Sequence, residues 1–429
     1  MKEIFKKIIT KILELEARAI LKKYQPKVIA VTGSVGKTST KDAIYSVISD
    51  SFYVRKSEKS FNSDIGVPLT ILGCQNAWND PFKWLQNIWS GLSLVVFKNR
   101  YPEWLILEIG ADRPGDIQKI SSWLKPDVVV VTKFSKVPVH IEYFKDKDAV
   151  IAEKGFLVNA LKHDGTLVLN SDDEDVFAFR NKFHNKIISY GLLGDAEIRA
   201  SNPSVGYQGD LPVGMQFKIE YKGNVVPANI LGSLGSANIY AALAAVSVGI
   251  ALGLNMIQIT ENLKKHETPR GRMRIIKGLK DTIIIDDTYN SSPVAVNLAL
   301  ESLKEIKVPG RKIVVLGDMM ELGKHSSESH KQIGQSVVDK CDILITVGMR
   351  SRATADTAMN NGFDEKNIFQ FENSVEAGSA LQEMLQPGDL LLIKGSQSTR
   401  MEKIVEEIMA EPEKAPELLV RQEEEWKKR

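Results

Sequence analysis

The chain has 429 residues, enough for two or three domains that each bury a core of their own. It is 43% hydrophobic and 26% charged, which excludes an intrinsically disordered protein, and its net charge of +2 gives no electrostatic case for nucleic-acid binding. Cys74 and Cys341 lie far apart and form no C-x-x-C pair, so we expect neither a disulfide framework nor a zinc site. A reducing, cytoplasmic setting fits this composition.

Residues 2–24 predict an amphipathic helix that caps the first domain, because apolar residues recur there at helical spacing. The segment carries charges throughout and lacks the apolar core of a signal peptide. A basic helix lying on a membrane surface is the alternative. Pro26 ends the helix before the next element begins.

A glycine-bearing turn follows the apolar run 28–31, and a helical pattern over residues 41–49 comes after it. Backbone N–H groups and the helix dipole converge in such a turn, which predicts a phosphate-binding loop. Lys37 would place its charge on the outer phosphates, and the Thr38 hydroxyl would reach a Mg²⁺ ion. Val31 stands where the strict G-x-x-x-x-G-K-[ST] pattern has its first glycine. An ordinary strand-to-helix turn is the alternative.

Residues 78–106 are rich in tryptophan, and their apolar run 92–97 is too short to span a bilayer. We expect one amphipathic helix with its lead-in, within an insertion of about residues 75–104. The insertion is interpreted as a packing surface. Partial peripheral membrane contact remains an alternative, because such aromatic density is unusual for a solvated helix.

Strands and helices alternate in two series, which predicts an α/β protein with two parallel sheets. The first series contains strands at 104–108, 128–132 and 166–169, a β-rich stretch at 186–231 and an alanine-rich helix at 237–252. The second contains strands at 282–285, 312–316, 343–347 and 390–393. Residues 268–272 are interpreted as the linker between the series, and 411–429 as a solvated helix or frayed tail.

Polar residues follow several of these strands, at the edge where open α/β sheets bind ligands. Glu108 ends one strand beside the phosphate loop and is a natural Mg²⁺ ligand, with a surface carboxylate as the alternative. His140 and Lys154, taken alone, are typical of solvated side chains. Two metal ions would need more ligands than Thr38 and Glu108 supply, and an imidazole or a carbamylated lysine would serve.

In the second series, residues 286–293 offer a carboxylate, an aromatic ring and an amide that could hold a ribose and a base. Residues 317–323 and 394–396 end two further strands. Arg272, in the linker, could reach a phosphate once the domains close.

Eight motifs, in order, resemble those of the Mur ligase superfamily, the ATP-dependent amide-forming enzymes of peptidoglycan precursor synthesis. The resemblance runs from about residue 28 to 409. The loop 32–40 is similar to T-G-[ST]-x-G-K-T-[ST]-T, which accounts for the departure at Val31. The other motifs match the family at residues 60–68, 107–117, 140–142, 154–155, 286–293, 316–323 and 394–396. The last three are specific to the branch that adds D-alanyl-D-alanine.

The resemblance implies a P-loop central domain with a mostly parallel sheet and a Rossmann-like C-terminal domain. The divisions would be an N-terminal helix at 1–26, a central domain at 27–268 and a C-terminal domain at 269–429. It also implies a reaction in which ATP phosphorylates a peptide carboxylate and an amine then attacks the acyl phosphate. The partners would be ATP, a peptide-bearing wall precursor and a dipeptide, bound by a monomer.

The resemblance also implies site residues. Lys37, His140 and Lys154 would be catalytic. Two Mg²⁺ ions and the γ-phosphate would be held by Lys37, Thr38, Glu108, His140 and carbamylated Lys154. ATP would contact Thr32, Gly33, Ser34, Gly36, Lys37, Thr38, Ser39, Asn238, Arg272, Asp287, Tyr289 and Asn290. Substrate would contact Asn62, Ser63, Lys394 and Ser396.

The chain departs from the family pattern in ways that bear on the substrate. About 27 residues precede the phosphate loop, where the family places a domain that holds a UDP-sugar. Lys133, Leu234 and Ser292 replace the residues usual in the branch. Two alternatives follow: a ligase acting on another carboxylate (lipid-linked, pseudomurein-type or poly-amino acid), or a nucleotide-binding subunit without activity.

Overall fold

The computed structural model describes residues 2–135, 141–183 and 186–427. The strands are β1 (Lys27–Thr32), β2 (Val54–Lys56), β3 (Trp104–Glu108), β4 (Val128–Val131), β5 (Thr166–Asn170), β6 (Lys186–Gly191), β7 (Ile198–Gln208), β8 (Leu211–Tyr221), β9 (Asn224–Leu231), β10 (Arg274–Lys277), β11 (Ile283–Asp287), β12 (Lys312–Gly317), β13 (Ile343–Val347), β14 (Ile368–Phe371) and β15 (Leu390–Lys394).

The α-helices are α1 (Lys2–Tyr24), α2 (Lys37–Ile48), α3 (Gly66–Leu72), α4 (Pro81–Val96), α5 (Asp116–Ser121), α6 (Lys147–Asn159), α7 (Glu174–Phe177), α8 (Ser236–Ala251), α9 (Met256–Leu263), α10 (Pro293–Glu305), α11 (Ser326–Val337), α12 (Arg352–Asn360), α13 (Ser374–Met384), α14 (Glu402–Ile408), α15 (Ala415–Leu418) and α16 (Glu424–Lys427). Short 3₁₀ turns connect several of them, including Ile141–Tyr143 and Gly323–His325.

The first sheet has nine strands in the order β2-β3-β1-β4-β5-β6-β7-β8-β9. Pairing is parallel from β2 to β7 and antiparallel over β7, β8 and β9. β1 lies between β3 and β4, and its apolar residues are buried on both faces. Near-continuous apolar runs such as β4 are what a sheet covered on both faces requires.

Helices cover this sheet on two sides. Ile29 and Val31 pack in one core cluster with α2 and the alanine-rich α8. Val28 and Ala30 point to the opposite face and pack in a second cluster with α1 and α3. This alternation follows from the two-residue period of a strand, and it holds β1 rigidly at the centre of the unit.

The second sheet has six strands in the order β10-β11-β15-β12-β13-β14. All pairs are parallel except β10 with β11. β11 and β12 both pair with β15 in parallel, so the carboxyl ends of the three strands lie at one edge of the sheet. Residues 286–293, 317–323 and 394–396 all follow from that edge, as the sequence predicts.

The structure confirms the predicted α/β class with two largely parallel sheets. The helix after the phosphate loop begins at Lys37 rather than 41, because Gly36 in the left-handed region turns the chain directly into it. The division at residues 26 and 268 stays a prediction. Within the described residues, no helix combines the length and apolarity needed to cross a bilayer.

The expectation of a solvated tail at 411–429 is wrong over part of that range. Ala415 and Leu419 are buried in the core of the second sheet. Arg421 is also buried, and its guanidinium donates to the Thr288 carbonyl oxygen at 2.5 Å and to Glu402 Oε2 at 2.6 Å. Tertiary contacts therefore hold a segment whose composition alone is typical of solvent exposure.

Candidate active site

The phosphate loop and Glu108 lie side by side because of strand register. Val31 of β1 pairs with Glu108 of β3, so Glu108 lies beside the residues at which the phosphate loop begins. Gly33 packs so tightly that a Cβ would lie 2.0 Å from Thr132 Oγ1. Gly36 has φ +86°, which favours glycine. The two glycines thus allow the loop to turn close against β4 before α2 begins.

Three side chains surround the Glu108 carboxylate. Thr38 Oγ1 donates to Oε2 at 3.0 Å, and Ser60 Oγ donates to Oε1 at 2.5 Å. Asn62 Nδ2 donates to Oε1 at 3.2 Å. Glu108 is 1% exposed, so these bonds replace the water that an ionised carboxylate would otherwise need. The arrangement preorganises a negatively charged oxygen pair next to the phosphate loop.

Two lysines from neighbouring elements line the same cleft as this carboxylate. Lys37 Nζ donates to the Gly33 carbonyl oxygen at 3.0 Å, and burial lowers its pKa, with Glu108 opposing that effect. Lys154 is buried on α6, and its burial, together with the charge of Lys37, lowers its pKa to about 7. Neighbouring Glu153 accepts the backbone N–H groups of Gly115 and Ile117, at 2.9 and 2.7 Å. Lys154 therefore sits on a well-anchored helix close to the loop.

The second unit supplies the opposite wall of the cleft. The Arg272 guanidinium lies over the Tyr289 ring, 4.2 Å from its centroid. Burial raises the pKa of Tyr289, and the charge of Arg272 and the nearby Ser60 hydroxyl oppose that shift. One aromatic–cation pair thus faces the phosphate loop across the cleft.

A buried ion pair supports that wall from behind. Lys394 Nζ donates to Asp287 Oδ2 at 2.6 Å and to the Asn290 carbonyl oxygen at 3.0 Å. The register of β11 with β15 places these two residues opposite each other. Burial lowers the pKa of Lys394, and Asp287 opposes that shift. The pair holds residues 287–290 against the sheet edge.

The loop after β12 completes the wall. Met320 N–H donates to Ser396 Oγ at 2.9 Å, and Met319 N–H donates to His330 Nε2 at 3.0 Å. Gly323 reaches the first unit, where an added Cβ would lie 2.9 Å from Glu142 Cβ. The two units are therefore in direct contact at this end of the cleft.

Together these elements enclose a cleft of about 660 Å³, a size typical of nucleotide-sized ligand sites. Most residues proposed from the sequence line it. They are Gly33, Ser34, Gly36, Lys37, Thr38, Asn62, Glu108, Lys154, Arg272, Tyr289, Asn290 and Ser396.

Six sequence candidates that lie within the described residues do not line the cleft. Asp287 and Lys394 stand behind it, as described above, and Thr32 and Ser39 are buried in β1 and α2. Ser63 Oγ accepts the Gly66 N–H at 3.3 Å, and Asn238 Nδ2 donates to the Leu234 carbonyl oxygen at 3.0 Å. His140 lies outside the described residues.

Several cleft residues were not assigned a role from the sequence. Ser60, Asp112 and Glu321 lie in the motifs at 60–68, 107–117 and 316–323, so position within a motif is the signal that the sequence offers for them. Trp426 also lines the cleft, and its ring meets the Trp78 ring edge-on, with centroids 6.0 Å apart. No local pattern near Trp426 indicates this, because the contact depends on how the chain end folds back.

The donor set suits a polyphosphate and a hard cation. Ser34 Oγ is buried and has no hydrogen-bond partner within the described part of the chain, as expected of a group that awaits a ligand. Thr38 and Glu108 supply the oxygen ligands that Mg²⁺ prefers, and Mg²⁺ needs only one or two carboxylates when phosphates are present. The residues present therefore fit Mg²⁺ with a nucleotide.

Comparisons with known proteins show which family the chain resembles. The chain matches the family described as "Mur ligase middle domain" over residues 31–82 and 86–248, and "Mur ligase, glutamate ligase domain" over 271–397. It is 27% identical to the UDP-N-acetylmuramoyl-tripeptide–D-alanyl-D-alanine ligase of Bacillus subtilis, over 93% of this chain and 79% of that protein. The Escherichia coli enzyme of the same name is 25% identical, over 88% and 76%.

Solved structures share the fold. The MurF ligase of Thermotoga maritima in complex with ADP has a TM-score of 0.76 at 24% identity, over 95% of this chain and 84% of that one. A pseudomurein peptide ligase type C from Methanothermus fervidus has a TM-score of 0.62 at 17% identity, over 90% and 79%. With the phosphate loop and its facing wall in place, the chain belongs to the Mur ligase family and is an ATP-dependent ligase.

Proposed function

We propose that the chain joins D-alanyl-D-alanine, or a similar dipeptide, to the terminal carboxylate of a muramyl-peptide cell-wall precursor. The proteins similar to it over about nine tenths of its length carry this activity in their names. The observation that carries the proposal is the cleft, in which the phosphate loop and the Glu108 carboxylate face the Arg272–Tyr289 pair.

The proposed reaction has two steps. A carboxylate oxygen of the precursor attacks the γ-phosphorus of ATP, and the bond from that phosphorus to ADP breaks. The dipeptide amine then attacks the acyl carbon through a tetrahedral intermediate, the bond to phosphate breaks, and the amine loses a proton. The products are an amide, ADP and phosphate.

The residues of the chain would mainly position these reactants and neutralise charge. Lys37 would hold the outer phosphates at the start of α2, and Arg272 would approach them from the opposite wall. Asn62 and Ser396, on the two sides of the cleft, would contact the substrate, with Ser63 and Lys394 supporting them. The proposed nucleotide contacts of Asn238, Asp287, Tyr289 and Asn290 belong to the same scheme.

Thr38, Glu108, His140 and a carbamylated Lys154 would hold two Mg²⁺ ions. When bound, these ions would neutralise phosphate charge during the transfer. The carbamate would place a carboxylate where the buried amine lies. Because the pKa of Lys154 is lowered to about 7, a large fraction of its amine is neutral near pH 7, and the neutral amine is the form that reacts with CO₂. The protein is proposed to act as a monomer, with peripheral membrane contact through its tryptophan-rich insertion.

The test is Mg²⁺-dependent ADP release by the purified protein. We expect release only when ATP, a muramyl tripeptide and D-alanyl-D-alanine are all present, with the amide product identified by mass spectrometry. Glu108→Gln serves as the inactive control, because it keeps the shape of the side chain and removes its charge.

A screen of other acids and amines separates the alternatives. Turnover on a lipid-linked, pseudomurein-type or poly-amino-acid carboxylate, with none on the muramyl tripeptide, would replace the proposed substrate. ATP binding without turnover on any pair would favour a non-catalytic subunit.

A further inference from the structure

Two helices beside the first sheet expose apolar stripes to solvent. On α4 the exposed apolar residues follow the three-and-four spacing of one helix face: Phe82, Leu85, Trp89, Leu92 and Val96, with Phe97 just after the helix. Phe82 is 80% exposed and Trp89 is 70% exposed. On α1 the exposed stripe comprises Phe5, Ile8 and Leu15. Contiguous apolar surface of this kind marks a binding face.

The two helices pack side by side, so the stripes belong to one surface. Lys23, at the end of α1, donates to the carbonyl oxygens of Leu94 and Val95, both at 2.9 Å. Farther along, Gly91 packs so closely on Glu16 that a Cβ would lie 2.2 Å from its Oε2. We call this face, formed by α1, α4 and residues 97–100, the α1–α4 surface.

Positive charge surrounds the apolar residues. Residues 2–24 and 81–100 carry ten lysines and arginines against three glutamates, a net charge of +7, whereas the whole chain carries +2. The remainder of the protein is therefore net negative. The basic side chains exposed here are Lys6, Lys7, Lys11, Arg18, Lys22, Lys23, Lys83, Lys98 and Arg100.

We propose that the α1–α4 surface docks the protein on an anionic lipid bilayer. Its apolar side chains would insert at the boundary between head groups and acyl chains, with Trp89 at the depth where tryptophan is favoured. The surrounding lysines and arginines would meet anionic head groups. In a dimer formed through this face, two surfaces that each carry a net charge of +7 would lie against each other, so electrostatic repulsion opposes self-association.

Docking would also place the cleft near the lipid. Trp84, on α4, donates its indole N–H to the Trp78 carbonyl oxygen at 3.0 Å. Trp78 in turn contacts Trp426, which lines the cleft. The N-terminal end of α4 is thus connected to the cleft wall. The contact with the bilayer would thus involve α1 as well as the tryptophan-rich insertion.

Vesicle flotation of the full chain tests the proposal. We expect binding to vesicles of phosphatidylcholine with phosphatidylglycerol, weaker binding to phosphatidylcholine alone, and a decrease when salt rises, because screening shortens the reach of the charges. The double variant Leu85→Ser/Trp89→Ser should weaken binding by roughly tenfold or more. Lys98→Glu/Arg100→Glu should weaken it by a similar factor on anionic vesicles only.

A matched control is the variant Leu193→Ser/Ile257→Ser. These residues are 69% and 71% exposed but lie elsewhere on the surface, so vesicle binding should not change. Equal loss in this control, or no flotation of the unmodified protein with anionic vesicles, would overturn the proposal. A concentration-dependent dimer that only Leu85→Ser/Trp89→Ser abolishes, seen by sedimentation without lipid, would assign the surface to a second copy instead.

Ligase activity, measured without vesicles, keeps this test separate from the proposed function. The Leu85→Ser/Trp89→Ser variant should retain ADP release on soluble substrates, since neither residue lines the cleft. Loss of vesicle binding with retained turnover therefore supports the surface, whatever the carboxylate substrate proves to be.

Discussion

Ser60 lies at a point where two parts of the site meet. Its hydroxyl donates to Glu108 Oε1 and lies close to Tyr289 on the opposite wall. A side chain that orients a metal ligand commonly affects metal affinity by ten- to a hundredfold. Ser60 is therefore a positioning residue for Glu108.

We expect Ser60→Ala to raise the Mg²⁺ concentration needed for half-maximal ADP release by about tenfold. The maximal rate at saturating Mg²⁺ should fall less, because Thr38 and Asn62 still bond to Glu108. Ser122→Ala, an exposed serine on the same unit, is the control. An unchanged Mg²⁺ titration in Ser60→Ala would contradict this role.

Lys154, on α6, lines the cleft near the phosphate loop. Lys154→Ala should lower ADP release by at least about a hundredfold, because a ligand carboxylate would be lost. Short carboxylic acids such as formate or acetate should restore part of that activity by occupying the vacated space. Lys162→Ala, which removes a surface pair with Asp127, should behave like the unmodified protein. Full activity of Lys154→Ala would exclude the carbamate.

Glu16, buried where α1 packs on α4, makes the stability of the folded protein depend on pH. Its Oε2 is buried without a hydrogen-bond partner in the described structure, and burial raises its pKa to about 7. The folded state therefore binds this proton more tightly than the unfolded state does. Stability from this group is greatest below pH 4.5 and declines as pH rises to about 7.

Glu16→Gln should consequently raise the thermal midpoint at pH 8 and have little effect at pH 4.5. Screening by solvent reduces the expected gain to roughly 1–2 kcal/mol, a shift of a few degrees. Glu14→Gln is the matched control on the same helix, since the Glu14 carboxylate is paired with Lys11 and Arg18. A gain for Glu16→Gln that is equal at both pH values would refute the argument.

Individual elements were largely predictable from the sequence. β3 and β13 occupy the predicted residues, because an apolar run between turn signals is a local property. The burial of residues within 411–421 is not predictable in this way, since Arg421 donates to Thr288, 133 residues away in sequence, and Leu419 packs in the core of the second sheet. Local composition carries no information about such partners.

At the scale of the whole molecule, the cleft depends on contact between the two units. Gly323 has φ +50° and packs directly on Glu142, so it combines a conformational requirement with a close approach between units. A side chain there would press against Glu142 and hold the two units apart.

We expect Gly323→Ala to lower kcat/KM for ATP by roughly tenfold, because the two walls would no longer meet in register. The matched control is Gly362→Ala, where φ is +95° but no atom lies within 4 Å of the added Cβ. Both variants should lose about 1 kcal/mol of stability to backbone strain. Equal kinetics in the two variants would show that the contact does not matter for turnover.

The phosphate loop, the order of the strands along the chain and twelve of the residues that line the cleft are predictable from sequence motifs. Glycine turns, buried apolar runs and short motifs each depend on a few neighbouring residues, so they can be recognised without a structure. The register of β1 with β3, which places Glu108 beside the loop, depends on pairing between distant segments. So do the contacts of Ser60, Trp426 and the exposed α1–α4 surface. Packing over the whole chain decides these features, because they exist only once remote residues are brought together.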